Sequence, residues 1–218
     1  MKRFLCTMMS LVLLMLTAGC AAPSNEAAVL PPTRFGHSES HASFGKRYTF
    51  ETAVAEADVI ARVEVGNWIA EDFDLDKTYY EAAVLECFKG DIPETFTLLQ
   101  DGCSKWTMGG YPLFTDGNEL VVFLKEAVGL DYSSPYWIIG AYDTVFYVSY
   151  DESGNRYYAD RRGVLGKTME IPTNYTNNRE VFNEDYARAV ADDPIVSEMS
   201  GFPYVFAEAD VIALLEGK

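Results

Sequence analysis

The sequence predicts a mainly β protein, a small antiparallel barrel followed by a C-terminal helical extension. Three observations predict it. Val59, Ala61, Val63 and Val65 alternate with more polar neighbours, which is the period of a strand. About six or seven short strand-like runs follow one another, separated by turn residues and few helical stretches, as in small barrels. After Pro172 the period changes, with Phe182, Tyr186, Ala189 and Val190 recurring at helical spacing over 179–191 before Asp193-Pro194.

The N-terminus carries a separate message. Lys2 and Arg3 form a basic n-region, Phe4 to Leu16 an apolar stretch, and Thr17-Ala18-Gly19 the small residues of a cleavage site. The apolar stretch falls short of the roughly 20 residues a spanning helix needs. Leu16-Thr17-Ala18-Gly19-Cys20 resembles the bacterial lipobox, with Thr17 where such motifs prefer Leu. The resemblance implies a lipid on the Cys20 sulfur and cleavage before it. The expected organisation is a signal peptide at 1–19, lipidated Cys20 and a flexible tether at 20–46, a barrel at 47–165 and a helical extension at 166–218. Pro23, Pro31, Pro32 and Gly36 mark the tether as a flexible spacer.

Along the barrel, Thr52–Ala57 favours a short helix and Val59 opens a strand. Residues 71–76 read as an acidic loop, and 79–88 and 95–100 as a hairpin turned at 89–94. Residues 101–111 read as a Gly-containing loop. Residues 118–125, apolar on both faces, read as a central strand. Further strands are expected at 136–139, 144–150 and 156–159, and a second short helix at 206–215. The heptapeptide Ala-Glu-Ala-Asp-Val-Ile-Ala occurs at both 55–61 and 207–213; without a longer period it is read as coincidence.

Composition excludes some functions. From residue 20 onward, 15 basic residues face 33 acidic ones, a net charge of −18. Such a surface repels nucleic acid and anionic lipid, so no nucleic-acid partner is expected. The only histidines are His37 and His41, both in the tether. A histidine base in the barrel is therefore not expected, and neither is a metal site, since the tether offers no helix and no third ligand. Asp72, Asp74 and Asp76 share the start of a calcium loop, but Lys77 and Ala83 stand where that loop needs Gly and Glu. A solvated acidic loop is the reading, with a loose cation site as its alternative. Gly109-Gly110 lacks the Lys-Ser/Thr of a phosphate loop. No catalytic residue and no cofactor are assigned.

Cys87 and Cys103 are the cysteines left for the folded part, in a compartment where disulfides are permitted. If residues 89–94 form the hairpin loop, Cys87 faces Phe96 and Cys103 lies about 23 Å along the strand. A disulfide needs Cα atoms within about 7 Å. The two are expected to be unbonded, with Cys87 buried and Cys103 a loop thiol.

Residues 50–148 carry a running pattern: Ala57-Asp58-Val59-Ile60, Val84 through Lys89-Gly90, Gly109-Gly110, Pro112-Leu113-Phe114, Gly117 and Phe123-Leu124. It resembles a domain of Gram-positive bacterial lipoproteins, with the OB-like barrel shared by netrin modules and tissue inhibitors of metalloproteinases. The resemblance implies the fold and no chemistry. Those inhibitors chelate a protease metal with a free N-terminal cysteine, whereas here that cysteine is expected to carry lipid.

One loop stands out as a binding candidate. Lys105, Trp106, Met108 and Tyr111 sit among glycines, either as a recognition surface or with Trp106 plugging the barrel end. The expected function is that of a membrane-anchored, extracytoplasmic, non-enzymatic binding module. Its partners would be the membrane, through the lipid, and an extracellular protein or glycan. The alternatives are a cell-envelope hydrolase using a carboxylate pair and an accessory sensor domain of a membrane system.

Overall fold

The computed structural model describes residues 46–108, 111–150, 153–160, 163, 165–166, 169 and 204–216, and the backbone of Ser38–Ser40. The signal peptide, Cys20, His37, His41, Gly109-Gly110 and the helix expected at 179–191 lie outside the described residues. No helix among the described residues is long and apolar enough to cross a membrane.

The chain enters as strand β1 (Ser38–Ser40), then helix α1 (Phe50–Glu56), capped at Thr49 by a reciprocal bond pair with Thr52. Strands β2 (Val59–Asp72), β3 (Lys77–Lys89), β4 (Thr95–Asp101), β5 (Trp106–Met108), β6 (Glu119–Glu126) and β7 (Pro135–Ile138) follow. After a short 3₁₀ turn come β8 (Val145–Tyr150), β9 (Arg156–Asp160), β10 (Tyr204–Ala207) and helix α2 (Glu208–Leu215). Most described residues are therefore in strands, with one helix after them, as the sequence predicts.

Pairing closes a five-stranded ring. β2 is antiparallel to β3 and β6, β3 to β4, and β7 closes the ring by running parallel to β4 and antiparallel to β6. This is a small OB-like barrel. β6 serves two partners on one edge: Leu124–Glu126 pair with β7, and Leu120–Val122 with β8, from which β9 and β10 continue the sheet.

Alternation along each strand divides the apolar residues between two cores. Val59, Ala61, Val63, Tyr80, Ala82, Phe96, Leu98, Leu120 and Val122 point into the barrel. Ile60, Val121 and Phe123 point out of it and are covered by Phe50 and Ala53 of α1, Phe146, Tyr158, Phe206 and Val211. That explains why β6 reads as apolar on both faces: it is buried on both.

Several expectations need correcting. The acidic run 71–76 is mostly strand and tight turn, since β2 extends to Asp72 and β3 starts at Lys77. Residues 101–111 are not all loop, because Trp106–Met108 form β5, and Ser38–Ser40 of the expected tether pair beside it in parallel. Phe206 and Ala207 belong to strand β10, and the helix begins only at Glu208. In the hairpin, Phe96 pairs with Ala82, not with Cys87. β3 overshoots β4, so Cys87 pairs with Ala61 of β2 instead. Both cysteines are free, but their environments are the reverse of those expected: Cys87 is exposed and Cys103 buried. Cys87 lies on the stretch of β3 that has run past the end of β4, whose pairing stops at Ala83–Thr95, while Cys103 is buried where the chain leaves β4.

The family-like pattern is explained by packing. Lys89 Nζ donates to the carbonyls of Val54 (2.7 Å) and Ala57 (2.6 Å), capping the C-terminal end of α1 from a neighbouring strand. Gly90 has φ +80°, and a Cβ there would lie 2.2 Å from the Asp58 carbonyl oxygen. The Lys-Gly pair thus joins helix to barrel.

Candidate functional site

The turn between β2 and β3 is built by its own carboxylates. Asp72 Oδ1 accepts from the backbone N–H groups of Asp74 and Leu75, each at 2.9 Å. Asp76 takes the left-handed conformation, φ 54°, that Asp tolerates better than most residues. With the turn fixed in this way, Phe73 and Leu75 stay 46% and 53% exposed, and Ile69 nearby in β2 is 41% exposed. These three are the large exposed apolar residues described at the hairpin end.

The loop that the sequence singles out is clamped onto this hairpin. Trp106 Nε1 donates to Asp76 Oδ1 at 2.6 Å. Ser104 donates to Glu71 through its hydroxyl at 2.8 Å and also through its backbone N–H. Gly102 N–H donates to the Asp76 carbonyl at 2.9 Å, and Thr78 Oγ1 to the Gly102 carbonyl at 2.8 Å. Lys77 pairs with Asp101. Lys105 is exposed and holds its ammonium 3.9 Å from the centroid of the Phe73 ring. Glu71, Asp72 and Asp76 are therefore occupied as acceptors for neighbouring N–H and O–H groups. Among the described residues no group of His, Cys, Asp and Glu is placed to hold a metal ion.

The four residues chosen from sequence divide by depth. Lys105 is exposed and Trp106 half-buried. Met108 is half-buried and packs against Tyr111, Ala141 and Tyr142. Tyr111 is fully buried and stacks on Tyr142 with ring centroids 4.0 Å apart. Tyr142 donates to the Asp101 carbonyl, and burial holds its hydroxyl well above the ordinary tyrosine value. Lys105 and Trp106 offer surface, while Met108 and Tyr111 support the loop from beneath.

Sequence reasoning missed Ile69, Phe73 and Leu75. The available signal was a pair of large apolar residues inside an acidic turn whose geometry requires neither.

Barrels of this class also bind ligands on a strand face. Here a lateral row crosses the outer wall: Tyr79 pairs with Leu99, Leu99 with Trp137, and Trp137 with Lys125. Much of that wall is already covered. Tyr132, from the segment between β6 and β7, stacks on Tyr79 at 4.4 Å, and Thr97 donates through N–H and hydroxyl to the Ser133 carbonyl. Tyr79 and Leu99 are buried as a result, and only Trp137 of the row is well exposed.

Two carboxylates meet elsewhere on the barrel. Arg62 bonds Glu119 and, at 3.3 Å, Glu86, while Tyr150 donates to Glu119 at 2.6 Å. Both carboxylates are engaged by the same guanidinium.

A scan against protein-family models finds none that matches the chain, and a search of curated proteins finds no match either.

Proposed function

We propose that the chain is a lipid-anchored, extracytoplasmic, non-enzymatic binding module that engages a protein or glycan through the end of its β2–β3 hairpin. The carrying observation is the exposure of Phe73 and Leu75 on a turn held rigid by Asp72, Asp76, Ser104 and Trp106. Rigid loops with exposed apolar side chains are suited to recognition, because little conformational freedom is lost on binding. The resemblance to netrin-type and inhibitor barrels supports an extracellular interaction role, and the lipobox ending at Cys20 supports the anchor.

Three experiments test this reading. Mass spectrometry of the membrane fraction should find the N-terminal peptide of the processed chain acylated on Cys20, with Cys20→Ala protein released from the membrane. Cys20→Ala protein retained at wild-type level defeats the anchor. A combined peptide and glycan array probed with the full chain in nanodiscs should give at least one saturable interaction weakened tenfold or more by Phe73→Ser/Leu75→Ser. Turnover in a broad hydrolase screen, abolished by Glu86→Gln or Glu119→Gln, would replace the binding reading with the carboxylate-pair one.

A further inference from the structure

The hairpin end discriminates between the two ligand classes left open, and we infer that its partner is a polypeptide segment carrying basic and apolar side chains. This inference rests on the hairpin being the binding surface. Three observations select the polypeptide. Sugars are bound by flat aromatic rings free on one face, flanked by polar groups that reach their hydroxyls. At the hairpin the Phe73 ring already has the Lys105 ammonium 3.9 Å from its centroid. The indole N–H of Trp106, the polar group a sugar hydroxyl would use, is consumed by Asp76. The remaining exposed apolar groups, Ile69 and Leu75, are branched aliphatics, which fill a side-chain pocket and present no flat face to a pyranose.

Charge fixes the sign of the partner. Around the apolar tip stand Glu71, Asp72, Asp74, Asp76 and Asp101, against Lys77 and Lys105. Lys77 is neutralised by Asp101. Asp74 is exposed beside Phe73 and Leu75, so a segment docking on the apolar tip meets a net negative rim. The whole chain, with a formal charge of −16, adds a long-range field of the same sign that accelerates encounter with a cationic partner. The same field disfavours an anionic membrane surface and an acidic polysaccharide as occupants.

A peptide display library of random 12-residue sequences, panned on the full chain in nanodiscs and counter-selected on the Phe73→Ser/Leu75→Ser variant, tests this. The expected outcome is enrichment of peptides combining Lys or Arg with Leu, Ile, Phe or Trp. Synthetic copies should bind at least tenfold more weakly to that variant, at least threefold more weakly to Asp74→Lys, and more weakly still as salt rises from 50 to 500 mM. Enriched peptides that are acidic or without charge bias overturn the inference while leaving the hairpin as a binding surface. So does an oligosaccharide of the glycan array whose binding is lost in the double variant. Absence of any hairpin-dependent binder, peptide or glycan, overturns both.

Discussion

Lys89 shows how one side chain can join two elements. Its ammonium supplies the C-terminal end of α1 with a donor and a positive charge, at carbonyls that have no partner within the helix. Lys89→Met should cost about 1–2 kcal/mol in urea denaturation, whereas Lys105→Met, on the surface, should cost less than about 0.5 kcal/mol. Gly90→Ala should cost at least about 2 kcal/mol, because the new methyl meets the Asp58 carbonyl in a left-handed conformation. The same positional logic separates the thiols. In a chain with Cys6 and Cys20 replaced by Ser, Cys87 should react with a thiol reagent within minutes and Cys103 only after denaturation. Two fast thiols would contradict the burial of Cys103. Lys89-Gly90 was visible as a motif in the sequence, but its purpose was not, because the carbonyls it serves lie more than thirty residues away.

At the scale of elements, periodicity made most strands legible and edge partners did not. The repeated heptapeptide shows why. At 55–61 it ends a helix and begins a strand; at 207–213 it leaves a strand and runs on as helix. Identical propensities give different outcomes because Asp58 N–H finds the Leu124 carbonyl, and the residues after it find both β3 and β6. The second copy has a strand before it and continues as α2. The hairpin register failed for a related reason. Turn chemistry at 89–94 suggests the end of pairing, whereas β3 runs past β4 to pair with β2 and reach α1. The candidate loop was legible as aromatic, but its clamp to the hairpin was not, since that depends on Glu71 and Asp76 from another strand pair. The segment over the outer wall is testable as an element. Tyr132→Ala should uncover Tyr79, lower stability by about 1–2 kcal/mol, and speed amide exchange at Thr97, whose N–H donates to the Ser133 and Ser134 carbonyls. Unchanged exchange at Thr97 would mean that the backbone holds the segment without the ring stack.

For the whole molecule, buried phenols set the alkaline limit. Tyr80, Tyr142 and Tyr158 are held above the ordinary value of 10.0, chiefly by burial. Below that value folded and unfolded chains both keep these protons, so their contribution to stability is complete. Above it the unfolded chain ionises while the folded one does not, and stability falls as pH rises. Ultraviolet titration at 295 nm should therefore show one group of tyrosines ionising smoothly and another only in the step where near-ultraviolet circular dichroism is lost. A single smooth titration with the fold intact would show that these rings are accessible. The parallel seam between β4 and β7 also has a consequence in time. As the chain is made, β4 is complete at Asp101, but its outer edge has no partner until β7 ends at Ile138. At about 5–20 residues per second, that edge, Thr95-Phe96-Thr97-Leu98-Leu99, stays unpaired for roughly 2–7 s. During that interval another nascent copy could pair with it as readily as the chain's own β7. The ring that leaves the finished barrel edges closed thus makes its own synthesis the stage most exposed to aggregation.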